Sequence, residues 1–220
     1  MTGPLLLPTS ALQELPLAAA VRALLRLRPD GLQLCPGNLP SPGMRGLLGG
    51  ASMHHGFAWE ARRVEVWDSA GAPLISLAGR SVHPPDLDDS DTWLEQHADD
   101  VVLETMPPGH LLGSGASLER AMDRGARLAV DVSHLHIQWR AGLLSAAVRD
   151  RLYDYERVAE IHVSDNDGLH DLHRPPSKAS FGAEWARARC EAGVPLVLEA
   201  YLHGLDDDAR RALVEDWRCN

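Results

Sequence analysis

The chain has 220 residues, 45% of them hydrophobic, and a formal net charge of −10. That length suits one large domain with a substantial core, and no apolar stretch is long enough to span a membrane. The acidity and the lack of a Lys/Arg cluster (Lys178 is the single lysine) disfavour nucleic acid as partner, because phosphate neutralisation by basic side chains drives that affinity. The opening MTGPLLLPTSALQELPL lacks a basic n-region and a cleavage-like end, unlike a signal peptide. Three cysteines, Cys35, Cys190 and Cys219, show no CxxC spacing. Their odd number argues against a disulfide framework or a thiolate zinc site and for a reducing, cytoplasmic setting.

Eight short apolar runs follow one another: Pro4–Leu7, Gly31–Cys35, Ser52–Phe57, Leu74–His83, Val101–Glu104, Leu128–Val132, Ala159–Val163 and Pro195–Glu199. Segments of helical spacing lie between them. Leu17–Leu27 precedes Pro29, Asp91–His97 follows a run of aspartates, and Leu118–Arg124 ends at Gly125. Leu143–Val158 is the longest amphipathic stretch, Phe181–Glu191 ends near Gly193, and Asp206–Trp217 opens on acidic residues. Continuous rather than alternating runs such as VVLE, LAVDV and PLVLE read as strands covered on both faces. Eight strands alternating with helices predict a single (β/α)8 TIM barrel over residues 1–220. The chain is short for that fold, which typically takes about 250 residues. The glycines and prolines of Pro36–Gly50 and the weak periodicity of Ala58–Ala72 predict short or irregular second and third helices.

The polar residues gather where strands end, and in such a barrel the C-terminal strand ends ring one mouth. The third run ends with His54 or His55, the fourth with His83, and the fifth with Glu104. The sixth brings Asp131 and His134. The seventh opens IHVSDNDGLHDLH, with His162, then Asp171 and His173 on its loop. The eighth ends with Glu199. Imidazoles and carboxylates are the ligands of borderline and hard divalent metals, and metal pairing stabilises buried charge. Singly these residues have plainer readings. Asp131 is a ready helix cap, Glu104 and Glu199 are ordinary strand-end carboxylates, and alternation sends only one of His54 and His55 inward. Their order around the mouth favours a shared metal site.

The pattern resembles the xylose isomerase-like TIM barrel superfamily, which includes sugar isomerases and epimerases and the endonuclease IV type of repair enzyme. The resemblance covers nearly the whole chain and is clearest over Leu74–Tyr201. It is carried by His83–Pro84, the D-x-x-H of Asp131–His134, the H-x-x-D-N-D-G-x-x-D-x-H of His162–His173, and Leu198–Glu199. It implies a single-ion ligand set of Glu104, Asp131, His162 and Glu199, and further ligands for a multinuclear site in His83, His134, Asp171, His173 and one of His54 and His55, expected to be His55. The segment RPPSKASFG, Arg174 to Gly182, departs from the family's glycine-rich P-G-x-G.

Three activities are implied. One is a divalent-metal-dependent isomerase or epimerase of a small sugar derivative. There Glu104 and Glu199 exchange a proton alpha to a carbonyl, and His134, Arg174 and Lys178 contact substrate. The second is endonuclease IV-like phosphodiester hydrolysis at a multinuclear site. The third is a multinuclear iron oxidase that acts on a peptide, with a partner protein or peptide as its target. Manganese, cobalt, magnesium, zinc and iron are all admitted, as one to three ions. The short loops and the acidity weigh the first reading above the others.

Overall fold

The computed structural model describes residues 1–35, 52–55, 66–74, 76–77, 80–85, 90–99 and 101–219. Eight strands follow in chain order: β1 (Leu5–Pro8), β2 (Gly31–Leu34), β3 (Ser52–His55), β4 (Arg80–Val82), β5 (Val102–Glu104), β6 (Arg127–Asp131), β7 (Val158–Val163) and β8 (Leu196–Leu198). Every neighbouring pair is parallel, and β8 pairs with β1, so the curled sheet has no free edge. Seven α-helices lie among the described residues: α1 (Leu17–Leu25), α2 (Ser90–His97), α3 (Gly115–Asp123), α4 (Val132–Arg140), α5 (Ala146–Asp154), α6 (Ala183–Glu191) and α7 (Asp207–Asp216). The chain is thus an α/β protein built on one parallel sheet. The irregular second helix expected after β2 falls outside the described residues. Of the stretch expected to form the third, Val66–Ala72 is described and is not helical, Trp67 bridging to Pro73 across a turn closed by the Gly71 N–H on the Asp68 carbonyl.

The strands form where β-branched and leucine side chains run without interruption, and burial shows why. Leu5, Leu7, Leu103, Val130, Ile161, Val163 and Leu198 are fully buried, as strands wrapped by helices must be. The register of β6 against β7 shifts between Leu128 and Ala129, so that Leu128 faces Val158 but Ala129 faces Glu160. Such a bulge re-aims the side chains beyond it. From there Glu160 and His162, two apart, share one face of the strand, and Ile161 and Val163 share the other.

Two helices differ from expectation. The run Leu143–Val158 is helical only over Ala146–Asp154, capped by the Ser145 hydroxyl, which accepts from the Val148 N–H. Tyr155 then turns extended and Val158 opens β7. Helix α4 is an addition to the expected elements. It starts directly at the end of β6, because the Asp131 carboxylate accepts the N–H groups of Ser133 and His134 at 2.6 and 3.1 Å. That bonding satisfies donors of the first turn. Gly125 ends α3 as expected, at φ +71°, where a residue without Cβ closes the helix most readily.

Cys190 and Cys219 form a disulfide, while Cys35 is a free, buried thiol. This corrects the reading of the odd cysteine count: one pair and one isolated small hydrophobe also make three. It withdraws the support that the count lent to a reducing compartment. No described helix is long and apolar enough to cross a membrane.

The disulfide closes a loop of sequence separation 29, which in the chain-entropy picture is worth about 3–4 kcal/mol. Cys219→Ser is expected to lower unfolding stability by about that amount in oxidising buffer and to leave stability in excess reductant unchanged. Denaturant unfolding with and without dithiothreitol measures both. Equal stabilities of variant and wild type in oxidising buffer would show the pair does not form.

Candidate metal centre

Parallel strands that close in register bring their C-terminal ends to one rim, and the polar residues converge there. Glu104 closes β5 and is 1% exposed. Its two oxygens serve different neighbours. Oε2 lies 3.1 Å from His54 Nε2 and 3.2 Å from His83 Nε2. Oε1 lies 3.5 Å from His162 Nδ1 and 3.4 Å from His134 Nδ1. On the far side of His162, Glu199 Oε2 stands 3.0 Å from the same Nδ1. Ligand atoms of Glu104, Asp131, His162 and Glu199 all lie within 4.8 Å of one another. A third group completes the mouth, with Asp171 Oδ2 3.2 Å from His134 Nε2 and 3.1 Å from His173 Nε2.

The donor set fits divalent ions on three counts. First, His54 Nε2, Glu104 Oε2, Asp131 Oδ2, His162 Nδ1 and Glu199 Oε2 are buried without a hydrogen-bond partner. Buried polar atoms are normally paired, so orphans gathered at one point need an explanation. Second, four of the imidazoles have their other nitrogen on a protein partner. His134 Nδ1 donates to the Thr105 carbonyl at 2.7 Å, His173 Nδ1 to the Glu199 carbonyl at 3.0 Å, and His162 Nε2 to Glu160 at 2.7 Å. His54 Nδ1 meets Ser81 Oγ at 3.0 Å. Metal-ligating histidines are held in this way. Third, ligands placed about 2.0–2.1 Å from one tetrahedral ion stand about 3.4 Å apart, close to the separations seen in the cluster. The buried group can therefore hold a divalent metal.

The electrostatics of the metal-free cluster follow from burial against opposite charge. Burial alone would raise Glu104, but His83, His54 and His162 hold it well below the usual carboxylate range. Burial likewise opposes charge on His162 and His134, yet Glu104 and Glu199 raise the first well above an ordinary imidazole, and Asp131 and Asp171 raise the second. His173 is raised to about 9: burial lowers it, and the hydrogen bond to Asp171 with the charges of Glu199, Asp171 and Asp131 outweighs that. Asp131 moves the other way for an acid, up to about 6, chiefly through burial. His54 falls to about 4, again chiefly through burial.

Most of the sequence-derived ligands meet here: Glu104, Asp131, His162, Glu199, His83, His134, Asp171 and His173. Of the histidine pair, His54 stands in the cluster, while the side chain of His55 is outside the described residues. His134, also read as a substrate contact, is turned onto Asp171. Lys178 is not brought to the group; it pairs with Asp216 of α7 at 3.0 Å. Arg174 joins Asp165 through backbone hydrogen bonds and its side chain is exposed. Asp131 is both a helix cap and a site residue, with Oδ1 on the α4 N–H groups and Oδ2 turned to the site.

Sequence reading missed the supporting residues. Thr105 Oγ1 accepts the Asp131 N–H at 2.9 Å while its carbonyl holds His134. Beneath the ligands, Gln33, Ser81 and Glu160 form a buried polar layer. Beside the mouth Asn166 binds His136 Nδ1 at 2.8 Å, and His136 stacks on Phe181. Gly168 permits that approach: at φ +76°, a Cβ there would meet Arg140 and His136.

No protein-family model matches the sequence, and no curated protein sequence matches it. Among solved structures, the TTHB071 protein of Thermus thermophilus, determined after soaking with zinc chloride, is similar at a TM-score of 0.51. It is 16% identical, and the alignment covers 99% of this chain and 98% of that one. At that identity the likeness is one of fold.

The raised histidines set a pH dependence. A group whose folded pKa exceeds its unfolded value stabilises fully below the unfolded value and loses that contribution as pH climbs through the folded one. His173, at about 9 against an ordinary 6.5, therefore makes the metal-free chain less stable between pH 6.5 and 9, and His134 and His162 act in the same sense. Metal ligands bind deprotonated, so loading displaces those protons. Melting temperatures of chelator-treated protein are expected to fall across that window, and the gap to zinc-loaded protein to widen. A flat metal-free profile would contradict this charge arrangement.

Proposed function

We propose that the chain is a metal-dependent enzyme of the xylose isomerase-like (β/α)8 barrel type, holding more than one divalent ion and hydrolysing a small phosphate ester. The observation that carries this reading is the division of Glu104. One oxygen belongs with His54 and His83 and the other with His162, as suits a carboxylate shared by two ions. The His134–Asp171–His173 group offers a further position. Imidazole and carboxylate ligands suit zinc, iron or manganese, and the zinc soak of the similar TTHB071 protein favours zinc as the first to try. Bound ions would supply Lewis acidity and lower the pKa of water.

The chain's own residues do the rest. His54, His134, His162 and His173 orient the charge of the mouth through nitrogens held by protein partners, and His83 adds a further imidazole beside Glu104. Glu199, 8% exposed, reaches the rim and is placed to take a proton from water or substrate. The net charge of −10 and the absence of a basic cluster favour a small ligand over duplex DNA.

A second reading has its own support. Glu104, Asp131, His162 and Glu199 form a complete four-ligand group by themselves, and Glu104 and Glu199 flank the same imidazole nitrogen. A one-ion isomerase or epimerase would use these two carboxylates as base and acid. An iron oxidase acting on a peptide would use the same full ligand set as the hydrolase.

Metal content decides between them. Wild-type protein is expected to retain two or three ions per chain by elemental analysis, and His83→Ala and His173→Ala to retain fewer. Glu199→Gln, which keeps an oxygen that can ligate but removes the charge, is expected to bind metal more weakly and, at saturating metal, to lose turnover of a phosphate monoester or diester on the order of 10²–10⁴-fold, the usual scale of acid–base catalysis. One retained ion in wild type, His83→Ala and His173→Ala alike, with exchange of substrate C–H for deuterium from solvent, would instead establish the isomerase. Bound iron with oxygen consumption on a peptide would establish the oxidase.

A further inference from the structure

Glu160 is a buried carboxylate that the ligand set leaves without a task. It lies on β7 two residues before His162, so both side chains share a face of the strand and Glu160 sits one layer deeper. Its Oε1 accepts three hydrogen bonds: from Gln33 Nε2 at 2.9 Å, from the Ser81 hydroxyl at 2.6 Å, and from His162 Nε2 at 2.7 Å. The Ser81 proton is committed to Glu160, so Ser81 Oγ is left to accept from His54 Nδ1, 3.0 Å away.

One oxygen thus fixes two imidazoles by opposite nitrogens. His162, held at Nε2, presents Nδ1 to Glu199 and Glu104. His54, held at Nδ1 through Ser81, presents Nε2 to Glu104 Oε2. The rings are neighbours, 5.2 Å apart and nearly perpendicular, and each turns its free nitrogen to a different oxygen of Glu104. A neutral imidazole has one donor and one acceptor nitrogen, and the hydrogen bond at one dictates the role of the other.

We propose that Glu160 is a positioning residue common to two adjoining ion sites. It sets the tautomer of His162 directly and that of His54 through Ser81, and its charge raises the donor strength of both. This rests on the multinuclear reading above. It also predicts an asymmetry. Loss of Glu160 reaches both sites, whereas loss of the Ser81 hydroxyl cuts only the arm to His54.

The test is titration of chelator-stripped protein with Co2+, followed by its visible absorption, with imidazole 15N NMR of the metal-free protein beside it. Glu160→Gln keeps the volume and an acceptor oxygen but removes the charge. It is expected to weaken both Co2+ steps, by the roughly 10–100-fold typical of groups that orient metal ligands. Ser81→Ala, which deletes one oxygen and keeps the proposal testable should Glu160→Gln not fold, is expected to weaken one step and leave the other at its wild-type value. Its NMR spectrum should show His54 losing a single tautomer while His162 keeps Nε2–H. Wild-type affinities at both steps in Glu160→Gln, or equal weakening of both steps in Ser81→Ala, would overturn the proposal. If wild type takes up a single Co2+, the multinuclear reading fails. The NMR arm still judges Glu160: a single His54 tautomer persisting in Ser81→Ala rejects the relay, and its loss upholds it.

Discussion

The structure is organised around charge taken out of water. Carboxylates from the ends of β5, β6 and β8 meet imidazoles from β3 and β7 in a space where Glu104, Asp131 and His162 are at most 1% exposed. Burying ionised groups costs several kcal/mol each unless they are paired and hydrogen-bonded. The pairing here is nearly complete on the outer side of the rings and incomplete on the inner side, where the orphaned atoms face one another. A closed parallel sheet is what makes this arrangement reachable. It delivers one strand end from every direction, floors the site with the hydrogen-bonded layer of Gln33, Ser81 and Glu160, and wraps the outside with leucine and valine.

The same economy governs the turns that follow the strands. Asp131 ends β6 and begins α4 with no intervening loop, so its carboxylate is fixed by two backbone N–H groups before it meets any ligand. Thr105, one residue past β5, ties that junction from the neighbouring strand by holding both the Asp131 N–H and His134. Glu104, Thr105, Asp131 and His134 are therefore one rigid unit built from two adjacent strand ends. Rigid placement is what a metal site asks of its supports.

The strand runs and the ligands at their ends were legible because each is a polar interruption after a buried run. The run PLVLE ends at Glu199 and LAVDV at Asp131, and both strands formed within a residue or two of expectation. Helix α4 was not legible. VSHLHIQWR carries little apolar periodicity, and what starts it is a capping bond that the sequence offers equally to a ligand reading. The supporting layer of Gln33, Ser81 and Glu160 left a fainter mark. Gln33 and Glu160 are lone polar residues inside apolar runs, and Ser81 and Glu160 each stand two positions before an expected ligand, His83 and His162, with which they share parity. Choosing between His54 and His55 needed the register of β3, which the His–His pair does not carry. The cysteine pairing depended on how α7 packs back on α6, a contact between segments that no motif links.

The bottom of the molecule has a mechanical side. The Gly3 N–H donates to the Cys190 carbonyl, and Cys190 is bonded to Cys219. Residue 3 and residue 219 therefore meet at a single cysteine, at the end of α6 that leads into the start of β8, away from the ligand rim. That junction fastens β1's approach, the start of β8 and the segment after α7 at one point, so a load pulling on any of the three is shared by the other two. It lies at the opposite end of β8 from Glu199, so a strain taken up there is carried by the strand's full hydrogen-bonded length before it reaches the ligands.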